Sequence, residues 1–142
     1  ALESDRGFRV YDDSYNANPL SVSAAIDVLA EMKSREAGNT VLVLGDMAEL
    51  GDEAEAMHYE MGVKAKQAGI DQLYTTGVLS ANTVDAFGDN GFYFKDKDEL
   101  IAALDERLAD GDVVLVKGSR SAAMEKVVER ILTHENNNKR VN

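Results

Sequence analysis

The chain has 142 residues, 44% of them apolar and 29% charged, and no cysteine. That length suits one domain with its own core, and no apolar run approaches the roughly 20 residues a membrane-spanning helix needs. A net charge of -11 repels a phosphate backbone and argues against nucleic acid as a partner. The absence of cysteine excludes disulfides and thiolate metal sites and fits a cytoplasmic protein.

Residues Ala1 to Gly7 show no clear pattern, and the chain starts without methionine, so it reads as a piece of something longer. Phe8 to Tyr11 alternates apolar and polar residues and predicts a short strand. The loop from Asp12 to Asn18 then holds two carboxylates, a hydroxyl, a phenol and two amides, more hydrogen-bonding capacity than a connection needs. Asn18 and Pro19 predict a cap and first turn for a helix through about Arg35, with Leu20, Val22, Ala25, Ile26, Leu29 and Met32 on its apolar stripe. Thr40 to Leu44 is a β-branched apolar run that predicts a central strand, emptying into Gly45-Asp46-Met47-Ala48-Glu49-Leu50-Gly51. A helix follows from about Glu53 to Ala68, stopped by Gly69.

The alternation continues with a strand at Gln72–Thr75, a helix at Ser80–Phe87 capped by Ser80, a strand at Gly91–Phe94 and a helix at Asp98–Leu108. Val113 to Val116 predicts a second wholly buried strand, leaving through Lys117-Gly118-Ser119-Arg120 into a last helix at Ser121–Leu132. Residues 135–142 are polar without an apolar face and predict a disordered tail after a single domain over 1–134.

Five strands alternating with five helices predict an α/β fold of three layers, an open and mostly parallel sheet with helices on both faces. Ligands of such sheets gather beyond the carboxyl ends of the strands, so the loops after the first, second and fifth predicted strands share one edge. Asp12 and Asp13 suit Mg²⁺ or a ribose hydroxyl, or equally the loop's own N–H groups. Tyr15 suits stacking on a base or covering the sheet edge. Lys117, Ser119 and Arg120 before a helix suit a carboxylate or phosphate. His58, alone in mid-helix, reads as structural, and with His134 in the tail no metal cluster assembles. Neither G-x-x-x-x-G-K-[ST] nor G-x-G-x-x-G occurs, so a nucleotide triphosphate would need residues beyond these.

Three motifs carry a resemblance to a known family: D-D-S-Y-N-A-N-P before an S-x-x-A-A-I helix, V-L-G-D-M-A-E-L-G with a histidine seven residues later, and L-V-K-G-S-R-S-A-A-M-E. Together, from about Phe8 to Leu132, they resemble the C-terminal domain of the Mur ligases, within them the ligases that add D-alanyl-D-alanine to UDP-N-acetylmuramoyl-tripeptide in peptidoglycan synthesis. The resemblance implies a Rossmann-like closing lid of a three-domain enzyme dependent on ATP and Mg²⁺, both held mainly by a central domain that this chain lacks. It implies that Asp13 lies near the ATP ribose and that Tyr15, Asn16 and Asn18 line the nucleotide and amine sites. Lys117, Ser119 and Arg120 are expected to face the dipeptide carboxylate, with Asp46 and Glu49 also on the substrate side. Two other readings stand beside it: a receiver-like signalling domain, for which Asp12, Asp13 and Lys117 fit but Thr75-Thr76-Gly77 replaces the phosphoacceptor, and a domain that only binds partners.

Overall fold

The computed structural model describes residues 2–33 and 38–141, with 134–141 as backbone alone. Its strands are β1 (Leu2–Glu3), β2 (Arg9–Asp13), β3 (Thr40–Leu44), β4 (Gln72–Thr76), β5 (Gly91–Phe94) and β6 (Val113–Lys117). They form one sheet in the order β1-β2-β6-β3-β4-β5, parallel throughout except for β1, which runs antiparallel to β2. The helices are α1 (Pro19–Lys33), α2 (Ala54–Ala68), α3 (Ala81–Phe87), α4 (Lys97–Arg107) and α5 (Glu125–Val141), with 3₁₀ turns at Gly51–Glu53 and Arg120–Ala122.

The two uniformly apolar runs, β3 and β6, lie side by side at the centre and are buried at every position. Strand alternation sends Val41, Val43, Val114 and Val116 to one face, against Leu100, Ile101 and Leu104 of α4 and Val127, Val128 and Ile131 of α5. Leu42, Leu44 and Leu115 face the other way, onto Val22, Ile26 and Leu29 of α1 and Met61 and Ala65 of α2. Connections that travel outward from β2 to β5 thus carry α1 to α3 on one face, and the return to β6 carries α4 on the other. A right-handed crossover rule demands this change of face when the direction of travel reverses.

Several boundaries depart from expectation. The first residues do contribute an element, the two-residue β1, too short to show a period. The last helix starts at Glu125, because a 3₁₀ turn and a left-handed Ala123 (φ 52°) come first. They let Met124 drop against Gly45 and Gly118, where an added Cβ would come within 2.7 and 2.6 Å of its Cγ. Helix α5 then runs through the segment expected to be disordered, since no glycine or proline interrupts the backbone ladder before Val141. Asp96 caps α4, accepting from the Glu99 N–H at 2.9 Å, so that helix starts one residue earlier than predicted. The predicted last turn of α1 at Ser34–Arg35 lies outside the described residues.

The amino ends of the strands are closed by carboxylates. Asp71 accepts from the Thr40 N–H at 2.8 Å, the Thr40 hydroxyl at 3.1 Å and Lys33 Nζ at 2.8 Å. Asp112 accepts from the N–H groups of Asn39 and Ala109, both at 2.9 Å. Burial pushes the Asp71 carboxyl up, but the Lys33 and Thr40 hydrogen bonds outweigh it and hold the group below the ordinary 3.8. A depressed folded value gives stability that is complete above the unfolded pKa and is lost as pH falls through the folded one. Asp71→Asn is therefore expected to cost about 1–2 kcal/mol at pH 7, Lys33 being half exposed. In urea unfolding the gap between the two proteins should narrow once the pH falls below the ordinary carboxylate value; a gap that stays constant would contradict this.

Helices α2 and α3 meet at Gly62, where an added Cβ would stand 2.1 Å from the Thr83 carbonyl oxygen and 2.8 Å from Ala86 Cβ. Backbone cannot yield as a flexible side chain does. Gly62→Ala should destabilise the chain by about 1–3 kcal/mol despite alanine's higher helix propensity, with a lowered urea midpoint as the readout and an unchanged or raised midpoint as the refutation.

Candidate functional site

Register places the chemistry at one level of the sheet. Asp13 pairs with Lys117 across β2 and β6, and Lys117 pairs with Leu44 across β6 and β3. Helices α1 and α2, which follow β2 and β3, leave toward one face, whereas α5, which follows β6, leaves toward the other. The carboxyl end of β6 is therefore a switch point, where the departing chains part and leave a crevice.

Lys117 ends β6 with its side chain only 2% exposed. Its Nζ donates to Asp13 Oδ2 at 2.8 Å and to the Asn16 carbonyl oxygen at 2.8 Å. One buried ammonium thus ties the opening loop to the last strand, while the Asp13 carboxylate stays 43% exposed. Asp12 turns to the loop itself, accepting from the Ser14 N–H at 3.1 Å and from the Ser14 hydroxyl. Asn18 caps α1: its Oδ1 accepts from the Ser21 N–H at 2.9 Å, and the Ser21 hydroxyl accepts from the Asn18 N–H at 3.0 Å. Tyr15 projects outward, 70% exposed.

The second loop is bound to the third through its backbone. The Gly45 N–H donates to the Lys117 carbonyl at 2.8 Å, and the Ser119 N–H donates to the Asp46 carbonyl at 3.0 Å. The Asp46 side chain points away toward the start of α3. Its Oδ1 accepts from the Ser80 N–H and hydroxyl at 2.9 and 2.6 Å, and its Oδ2 from the Leu79 N–H at 3.1 Å. Ser80 therefore does not cap α3 with its own side-chain oxygen; its hydroxyl and N–H instead donate to the aspartate from another loop. Glu49 adopts a left-handed conformation (φ 61°), a placement that a β-carbon makes costly.

These loops enclose a cleft of about 860 Å³ lined by Tyr15, Asn16, Ala17 and Asn18 on one side, Ala48, Glu49 and Leu50 on the second, and Ser119, Arg120 and Ser121 on the third. Its size suits a small molecule. Ser119 is buried, with its hydroxyl 3.1 Å from that of Ser121, whereas Arg120 is exposed and its guanidinium makes no hydrogen bond or ion pair among the described residues. A smaller hollow of about 350 Å³ shares Ser119 and Ser121 and adds Lys95 and Lys97. A third, of about 600 Å³ beneath α1 at the β2 edge, is mostly apolar and has no cation in its lining.

Of the residues singled out from sequence, Tyr15, Asn16, Asn18, Glu49, Ser119 and Arg120 line the large cleft. Asp13 does not line it: its carboxylate borders the 600 Å³ hollow beneath α1, and Lys117 ties it to the carbonyl of Asn16 in the cleft wall. Lys117 and Asp46 do not open into it: both charges are committed to protein partners. Ala17, Ala48, Leu50 and Ser121 were missed, three of them apolar and so without a chemical signal. Among the described residues no three His, Cys, Asp or Glu side chains converge as a metal site. The described residues do not by themselves make a site for Mg²⁺.

Known proteins share this arrangement. Residues 1–120 match the family model described as Mur ligase, glutamate ligase domain. The UDP-N-acetylmuramoyl-tripeptide–D-alanyl-D-alanine ligase of Escherichia coli strain K12 is 50% identical over 122 residues, covering 84% of this chain and 26% of that protein. The enzyme of the same name from Bacillus subtilis strain 168 is 33% identical over 136 residues, covering 92% of this chain and 29% of the relative. Among solved structures, the MurF ligase from Thermotoga maritima in complex with ADP superposes with a TM-score of 0.81 at 26% identity, over 96% of this chain and 30% of that one. The chain thus spans between a quarter and a third of the relatives it matches. With 120 residues under the family model and the three motif loops gathered on one rim, the chain belongs to the Mur ligase family.

Proposed function

We propose that this chain is the closing domain of an ATP-dependent amide ligase that joins D-alanyl-D-alanine to UDP-N-acetylmuramoyl-tripeptide in the cytoplasm. The observation that carries the reading is the cleft at the β6 switch point, walled by all three loops through which the chain resembles such ligases. In that chemistry the tripeptide carboxylate is activated as an acyl phosphate, and the dipeptide amine attacks its carbon as phosphate leaves and the amine gives up a proton. A domain that closes over these reactants aligns them and keeps out water that would hydrolyse the acyl phosphate.

The geometry favours a division of labour along the rim. Asp13, half exposed and oriented by Lys117, offers a carboxylate oxygen to a ribose hydroxyl, and Tyr15 on the same loop offers an exposed ring. Across the cleft, Arg120 has a free guanidinium fork next to the Ser119 and Ser121 hydroxyls, a donor set for the dipeptide carboxylate. The phosphates and Mg²⁺ fall to parts of the enzyme outside this chain, in keeping with its missing phosphate loop. On this reading the chain alone does not turn over substrate. The receiver alternative is disfavoured by topology as well as chemistry, because β6 is inserted between β2 and β3 where a receiver keeps those strands adjacent.

In the full-length ligase carrying this domain, Arg120→Ala should raise the KM for D-alanyl-D-alanine about tenfold, the worth of one charge-assisted contact, and change the KM for ATP less than twofold. Asp13→Asn should do the opposite. Steady-state kinetics with each substrate varied in turn checks both; a swap of the two effects, or an equal rise in both constants, would defeat the assignment of the two sides.

A further inference from the structure

His58 lies on α2, 2% exposed, and takes no part in the cleft. Its Nε2 is 3.0 Å from the Met47 backbone nitrogen, and its Nδ1 is 2.7 Å from the Ala54 carbonyl oxygen. An amide N–H only donates and a carbonyl only accepts, so these two contacts are satisfied together by one species: neutral imidazole with its proton on Nδ1. The helix carrying it is fixed in turn, since the Thr83 hydroxyl of α3 donates to the His58 carbonyl at 2.8 Å.

Met47 is the residue at which the second loop leaves its backbone bonds to Lys117 and Ser119 and sets out toward the cleft. Its side chain is buried with α1 and α2. The next three residues, Ala48, Glu49 and Leu50, form a wall of the cleft, and Glu49 holds a left-handed φ of 61°. A left-handed non-glycine residue persists only where its surroundings over-determine it. The buried His58–Met47 hydrogen bond is such a determinant, sitting two residues before the strained position.

We propose that His58 is a positioning residue: its Nδ1–H tautomer holds the Met47 N–H, fixes the path of Ala48–Leu50 and so sets the shape of the cleft toward its ligand. The tie to the dipeptide rests on the function proposed above; the hold on the loop does not. Two substitutions separate the two ring nitrogens. In His58→Gln the amide oxygen comes near the place of Nε2 and still accepts from Met47. In His58→Asn the amide nitrogen comes near the place of Nδ1 and still donates to Ala54, but Met47 loses its acceptor.

The experiment has two readouts. In the unmodified chain, ¹⁵N chemical shifts of the His58 ring should report a protonated Nδ1 and a bare Nε2, and amide exchange at Met47 to Leu50 should quicken at least tenfold in His58→Asn but not in His58→Gln. In the full-length ligase, His58→Asn should raise the KM for D-alanyl-D-alanine about fivefold with kcat within twofold, and His58→Gln should restore it. A ring protonated on Nε2, or exchange equally altered in both variants, would overturn the proposal. Quickened exchange in His58→Asn with an unmoved KM would support the hold on the loop and instead overturn the assignment of this cleft to the dipeptide.

Discussion

The ammonium of Lys117 is the constraint on which the rim of this domain depends. It sits at the carboxyl end of the central strand, buried, with Asp13 Oδ2 and the Asn16 carbonyl oxygen each at 2.8 Å. An unpaired charge at that depth would be costly, so the opening loop is held where its carboxylate and carbonyl can meet the lysine. Because the same residue accepts the Gly45 N–H through its carbonyl, one position joins all three loops. The charge of Lys117, expected from the family resemblance to face the dipeptide, is already committed to Asp13 and Asn16, and among the described residues Arg120 is the cation that lines the cleft.

Asp46 follows the same logic on a smaller scale. Its carboxylate accepts from Ser80 and Leu79 and braces the start of α3, and Gly77 leaves room for it, since a Cβ there would come within 2.4 Å of Oδ1. Two of the charges that look most like ligands are thus spent on holding loops. Around the cleft stand exposed groups, Tyr15, Arg120, Glu49 and Ser121, beside the one buried hydroxyl of its lining, that of Ser119. The chain itself matches between a quarter and a third of the length of the three relatives described above.

The architecture was legible because burial leaves a strong mark on composition. β3 and β6 are unbroken apolar runs and could only be central, and the 3.6-residue stripe of α1 is buried at Val22, Ala25, Ile26 and Leu29, whereas Leu20 in the first turn stands exposed. The rim loops were legible as places, since strand ends and glycines mark them. Their internal wiring was not. Whether an aspartate meets a metal, a sugar or a neighbouring N–H depends on register between distant strands, and nothing local in D-D-S-Y-N distinguishes Asp12, turned to Ser14, from Asp13, turned to Lys117. The partner of His58 lies eleven residues back on a loop whose course depends on a left-handed Glu49, a conformation no glycine announces. Nothing local marks Gly62, because its cause, the carbonyl of Thr83, belongs to another helix. The two-residue β1 was too short for any period to show.

If the Lys117 clamp organises the rim, removing its charge should loosen the loops while leaving the sheet in place. Amide hydrogen exchange of Lys117→Met against the unmodified chain measures this most directly. The account predicts that Ser14 to Ala17 exchange at least tenfold faster while β3 and β4 keep their protection. Unchanged protection across Ser14 to Ala17 would contradict it.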